Sequence, residues 1–265
     1  MKFSIWSLLS IPFSTLTGAS PLFTFGLKAR GNSNLDLTAR ETPLNEFLSI
    51  LLANLPAING TITAVVDVLT DFEQDLADLT GDQTTYNELG GACTEYTIIF
   101  ARGTSEPGNV GILVGPPLFD ALESLVGSSA LTIQGVNDYA ASVEGYLEGG
   151  DPAGSAEMAS QIQQAYSDCP NTNLIASGYS QGCQIVHNAI SQLPAETASW
   201  ISSVLLFGDP DDGQPIPNVD SSKVDTYCHT GDDICQDGDL ILLPHLTYAE
   251  NVASAAQFAV AAAAS

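Results

Sequence analysis

From Tyr96 onward the apolar residues fall into short, nearly unbroken runs. These are "YTIIFARG" (96–103), "LTIQGV" (131–136), "NLIASG" (173–178), "SSVLLFG" (202–208) and "VDTYC" (224–228). Each run has the length of a strand. The stretches near 116–126, 154–167, 181–193 and 247–262 carry helical spacing instead. Strands apolar on both faces, alternating with helices, predict an α/β three-layer sandwich around a central, mostly parallel five-stranded sheet. Ligand chemistry in such sheets sits beyond the carboxyl ends of the strands.

The first part of the chain follows a different pattern. Lys2, the apolar run "IWSLLSIPFSTL" and the small residues "TGAS" read as a signal peptide over 1–19, with cleavage after Ala19. That run is too short to span a bilayer, and so is every later one. Residues 20–90 read as a helical N-terminal extension or pro-segment, and 91–265 as the α/β domain. Within the extension, Leu44, Phe47, Leu48, Leu51, Leu52 and Leu55 recur at helical spacing. After Pro56 and an Asn-Gly break, a second amphipathic run extends from Ile62 to Leu79. The pair predicts a helical hairpin, read as a spacer in preference to a lid over a site. Asn59-Gly60-Thr61, in its turn, is a glycosylation sequon.

Charge narrows the range of partners. The formal net charge is −25, and beyond Arg40 only Arg102 and Lys223 are basic. Nucleic acid and anionic membranes both require basic patches, so neither is an expected partner. A soluble, secreted monomer is expected. Five cysteines in a secreted chain imply disulfides with one thiol left over. Cys228 and Cys235 enclose the short loop "CHTGDDIC" and form the natural local pair. Cys183 falls at a buried helical position and is expected to be free, which leaves Cys93 with Cys169.

The chemistry centres on "GYSQG" (178–182). It fits the Gly-x-Ser-x-Gly elbow, with a strand predicted before it and a helix after it, so Ser180 is the candidate nucleophile. The chain has three histidines. His187 lies on the same helix as Ser180, before any acid can intervene, and His229 sits beside Cys228. His245 follows "DGDLILLP" in a loop that can reach the serine, and is the base by elimination and position. The acid is less determined. Asp209, Asp232 and Asp233 all qualify, with Asp232 slightly favoured because a disulfide loop would hold it; Asp209 also reads as a turn cap before Pro210.

Taken together, "ARGTSEPGNVG" (101–111), "GYSQG", "CHTGDDIC" and "PHLTY" (244–248) resemble the cutinase family, secreted serine esterases with a small α/β-hydrolase fold. The likeness runs from about Cys93 to the C-terminus. It implies Asp232 as the acid, His245 as the base, and the bridges Cys93–Cys169 and Cys228–Cys235. It also implies an oxyanion hole from the backbone N–H of Gln181 and the hydroxyl and N–H of Thr104, with Asn109 as a supporting partner. Leu240, Ile241 and Leu243 would line the acyl groove, although Asp239 stands where the family places an apolar residue. The implied substrate is an insoluble polyester or a small ester, with no metal or cofactor. An acetylxylan esterase of the same fold, or a non-catalytic wall-associated or elicitor protein, is the alternative.

Overall fold

Five of the apolar runs become one sheet in the computed structural model, which describes residues 43–264. The expected signal peptide and the start of the expected extension lie outside the described residues. The elements in chain order are α1 (Pro43–Asn54), β1 (Gly60–Thr61), α2 (Ile62–Thr80), β2 (Tyr96–Ala101), α3 (Gly115–Val126), β3 (Leu131–Gly135), α4 (Val143–Leu147) and α5 (Pro152–Asp168). There follow β4 (Asn173–Tyr179), α6 (Gln181–Ser191), α7 (Ala195–Trp200), β5 (Ser203–Phe207), β6 (Val224–Tyr227), β7 (Leu240–Ile241) and α8 (Val252–Ala263).

The sheet has the order β3-β2-β4-β5-β6, and every pairing is parallel. Its inner strands are buried on both faces, which is why they read as continuous apolar runs. The edge strand β6 is half-buried and carries Asp225 and Thr226. Alternate residues serve opposite layers. Ile98, Phe100, Leu205 and Phe207 join a cluster with α1, α2, α3 and α8. Ile99, Ala101, Leu206 and Val204 join a second cluster with α5, α6 and α7.

The topology also locates the site. The chain leaves β2 toward the edge strand β3, then returns past β2 to β4 and builds outward to β6. The connections from the adjacent strands β2 and β4 therefore diverge, opening a crevice at their carboxyl ends. The loop after β2 begins at Arg102, and the residue after β4 is Ser180.

The N-terminal hairpin is more than a spacer. Phe47, Leu51, Ile62, Leu69, Phe72 and Leu76 are buried in the same cluster as the sheet face they cover. Full burial of such side chains stabilises by roughly 1.5–3 kcal/mol each before ordering entropy is charged. The connection between α1 and α2 is also stitched to the distal loop. Gly60–Thr61 pairs antiparallel with Leu240–Ile241, and the Ile62 N–H donates to Asp239 O at 2.7 Å. Asn59, in that connection, is exposed. Disulfides join Cys93 to Cys169 and Cys228 to Cys235, and Cys183 is a free, buried thiol.

Candidate active site

Ser180 is the single residue between the end of β4 and the start of α6. Its backbone lies at φ 55° and ψ −125°. A non-glycine residue holds such a conformation at a cost of order 1–3 kcal/mol, and only when its surroundings enforce it. Here the Ser180 N–H donates to Phe207 O at 2.9 Å, and the Ser180 carbonyl accepts from the Cys183 N–H at 2.8 Å. The flanking glycines are required by close approach. A Cβ on Gly178 would stand 2.3 Å from Gly182 O, and one on Gly182 would stand 2.0 Å from Ala101 O. Beneath the turn, the Cys183 thiol donates to Gly178 O. Burial, reinforced by the charge of Asp209, pushes that thiol well above its usual pKa, so it packs as an inert group.

The serine meets two partners brought from far along the chain. Ser180 Oγ lies 2.9 Å from His245 Nε2, and His245 Nδ1 lies 2.8 Å from Asp232 Oδ2. An ionised Asp232 can only accept, so Nδ1 carries the proton and Nε2 faces the serine hydroxyl as acceptor. All three side chains are buried. Burial alone would raise the Asp232 pKa. Hydrogen bonds from His245, Tyr248 and the Ile234 N–H, with the histidine's charge, outweigh it and hold the carboxyl below its usual range.

Two tyrosines fix this arrangement, and sequence reasoning assigned neither. The Tyr248 hydroxyl donates to Asp232 Oδ2 at 2.6 Å and accepts from the His229 N–H at 2.9 Å. Tyr179 stacks on the His245 ring with centroids 5.1 Å apart, and its hydroxyl donates to His245 O at 2.9 Å. The available signal was their placement beside the motif residues Ser180 and His245.

On the other side of the serine, the turn after β2 is built around a buried carboxylate. Glu106 accepts from the N–H groups of Gly103, Ile112 and Leu113 at 2.7–2.9 Å. Arg102 donates to Glu106 O and Tyr139 O. Gln181 is locked by its side chain, which accepts from the Tyr139 hydroxyl at 2.7 Å and donates to Ser142 O at 2.6 Å. Thr104 Oγ1 is buried and has no hydrogen-bond partner among the described residues. Such a donor is available to a ligand oxygen. Asn109 does not support it; its side chain bonds to Tyr86, Asn87 and Asn137.

The remaining candidates separate cleanly. His187 Nε2 pairs with Asp209 Oδ2 at 2.9 Å, while Asp209 Oδ1 accepts from the Asp211 N–H as a turn cap. His229 has one ring nitrogen 2.8 Å from Pro244 O and the other 2.7 Å from Asn251 Oδ1, bracing the loop before His245. Asp233 accepts from the Leu240 N–H. Of the three expected groove residues, Leu243 is 52% exposed and Leu240 half-buried. Ile241 is 1% exposed: strand pairing with β1 turns it into the core, so it does not line a groove. Among the described residues no group of His, Cys, Asp and Glu is arranged to hold a metal ion, and no helix is long and apolar enough to cross a membrane.

Comparison with known proteins adds a second line. Residues 92–263 match the family model for cutinase. A cutinase of Pyrenopeziza brassicae is 52% identical over 202 residues, spanning 76% of this chain and 98% of the relative. A cutinase of Trichoderma harzianum is 50% identical over 222 residues, 83% of this chain and 87% of the relative. The solved structure of a Trichoderma reesei cutinase in complex with a phosphonate inhibitor superposes with a TM-score of 0.70 at 48% identity, covering 83% of this chain and 99% of that one. An acetylxylan esterase superposes with a TM-score of 0.55 at 21% identity, over 65% of this chain and all of that one, a likeness of fold alone.

Proposed function

The chain belongs to the cutinase family, and from that premise we propose that it is a secreted, monomeric serine esterase that hydrolyses cutin and short-chain esters through Ser180, His245 and Asp232. The observation that carries this reading is the continuous relay from Ser180 Oγ to His245 Nε2 at 2.9 Å and from His245 Nδ1 to Asp232 at 2.8 Å, set on a strained turn.

In this mechanism Ser180 Oγ attacks the ester carbonyl carbon as its proton passes to His245 Nε2. The carbonyl oxygen becomes an oxyanion, stabilised by the Thr104 hydroxyl and by the N–H groups of Thr104 and Gln181. Losing one donor of this kind costs about 100- to 1000-fold in turnover. His245 then gives its proton to the leaving alkoxide oxygen, the carbon–oxygen bond breaks, and an acyl-serine remains. Water repeats the sequence: His245 takes its proton, hydroxide adds to the acyl carbon, and Ser180 leaves carrying the proton back. Asp232 holds the imidazole tautomer and stabilises the transient imidazolium. Secretion follows from the reading of residues 1–19, and the exposed Asn59 would carry a glycan.

Treatment of folded, oxidised protein with an organophosphate followed by peptide mass spectrometry tests the nucleophile. An adduct at Ser180 is expected, and its absence would end the esterase reading. Release rates from butyrate esters, cutin and acetylated xylan then test the substrate. A strong preference for acetyl groups on xylan would replace cutin with the alternative.

A further inference from the structure

Helix α2 buries an acid on its apolar face. Leu69, Phe72, Leu76 and Ala77 turn inward at helical spacing, and Glu73 turns inward with them at 1% exposure. Burying a carboxyl among apolar neighbours is costly unless it is hydrogen-bonded. Its bond reaches across to the turn after β2: Ser105 Oγ donates to Glu73 Oε2 at 3.0 Å.

Ser105 is an unusual recipient of that contact. It lies at φ 66°, a left-handed backbone that serine seldom adopts. Two ties hold it there, the Glu73 bond and its own N–H donating to Ala141 O at 2.9 Å. The residue before it is Thr104, whose buried hydroxyl has no partner among the described residues. The torsions of Ser105 and the plane of the Thr104–Ser105 peptide are coupled, so releasing Ser105 would turn Thr104.

We propose that Glu73 is a positioning residue for the oxyanion hole: through Ser105 it fixes the direction of the Thr104 hydroxyl. The proposal rests on the oxyanion role given to Thr104 above. It assigns the hairpin a part in catalysis, from a residue outside the 92–263 span that matches the family model. Burial first, and the charge of Glu106 second, raise the Glu73 carboxyl well above the usual range against the opposing pull of Ser105 and Arg102. A neutral acid still offers its carbonyl oxygen to Ser105, and a glutamine reproduces that acceptor.

The test is steady-state hydrolysis of a soluble butyrate ester, with kcat normalised to active sites titrated by a phosphonate. Glu73→Ala should lower kcat about tenfold with KM unchanged, in line with the cost of slight misplacement of a catalytic donor. Glu73→Gln should recover most of that loss, and Ser105→Ala should reproduce it if Glu73→Ala folds poorly. Thr104→Val should lower kcat by about 100-fold or more, and Glu73→Ala should add nothing further in the Thr104→Val background. An unaffected Thr104→Val enzyme would remove the oxyanion reading itself. A damaged Thr104→Val enzyme beside a Glu73→Ala enzyme with wild-type kcat would overturn the role of Glu73 alone. So would losses from the two variants that multiply independently.

Discussion

Two histidine–aspartate pairs in this protein have nearly the same geometry and different consequences. His245 and Asp232 stand 2.8 Å apart, and His187 and Asp209 stand 2.9 Å apart. What separates them is the far side of each group. In the first pair the other ring nitrogen faces Ser180 Oγ, and Asp232 is held by the Tyr248 hydroxyl and the Ile234 N–H. In the second, Asp209 spends its other oxygen capping its own turn. An imidazole–carboxylate contact is therefore only half of a catalytic relay. The other half is whether the fold delivers the free nitrogen to a hydroxyl, and here the loop after the Cys228–Cys235 bridge brings it to Ser180 Oγ, the nucleophile of the proposed mechanism.

The largest break in this comparison comes from the histidines. His245→Ala should lower kcat by up to about a millionfold, as removal of a triad base does in serine hydrolases. His187→Ala should leave kcat unchanged on folded, active-site-titrated enzyme. A comparable loss from both would mean the pairs are not distinct in function. The acids follow. Asp232→Asn should cost on the order of 10⁴-fold in kcat, because the imidazole then adopts the wrong tautomer. Asp209→Asn should instead lower the stability by about 1–3 kcal/mol, the cost of a disrupted buried hydrogen bond, which thermal melts would read. Tyr248→Phe probes the support of the proposed catalytic pair and should lower kcat about tenfold, since a hydrogen bond to a charged group is lost. Its stability deficit has a predictable sign. The depressed Asp232 pKa contributes stability above roughly pH 3.9, the unfolded value, and that contribution is lost as pH falls through the folded value. The difference in Tm between wild type and Tyr248→Phe should therefore shrink on acidification. A constant difference across that range would place the tyrosine's role outside the carboxylate.

How far the sequence reaches is also visible in these pairs. Four of the five sheet strands were legible because burial on both faces leaves a nearly unbroken apolar run, and Ser180 because its strand–turn–helix context is local. His245 emerged by elimination among three histidines. The acid stayed open between Asp209, Asp232 and Asp233 on the residues alone, because which carboxylate turns toward an imidazole depends on the path of a loop. Tyr248 was out of reach for the same reason: its position reads as an ordinary core aromatic until its hydroxyl is seen on Asp232. Helices α4 and α7, at five and six residues, are too short to display a period. The β1–β7 pairing is two residues long and exists only because the hairpin folds back onto the loop before His245. Glu73 did leave a trace, an acid placed among the core positions of an amphipathic helix.

The smallest expected effect concerns His187 and Asp209, which have no part in the proposed mechanism. Burial works to lower the His187 pKa, but the Asp209 hydrogen bond and the charges of Asp209 and Asp211 prevail, so it is raised above its usual value. A folded pKa above the unfolded value, roughly 6.5, means the pair's stabilisation is complete below that pH and is lost as pH rises through the folded value. The Tm advantage of wild type over His187→Gln should accordingly fade on going from mildly acidic to alkaline buffer, while kcat shows no matching change. In Asp209→Asn the burial contribution is no longer outweighed by a carboxylate partner, and the His187 ring should titrate below its usual value. NMR titration of the imidazole signals reads both directions. A wild-type His187 midpoint below that of a free histidine would show that burial, and not Asp209, governs this pair, and the comparison between the two pairs would then fail at its electrostatic root.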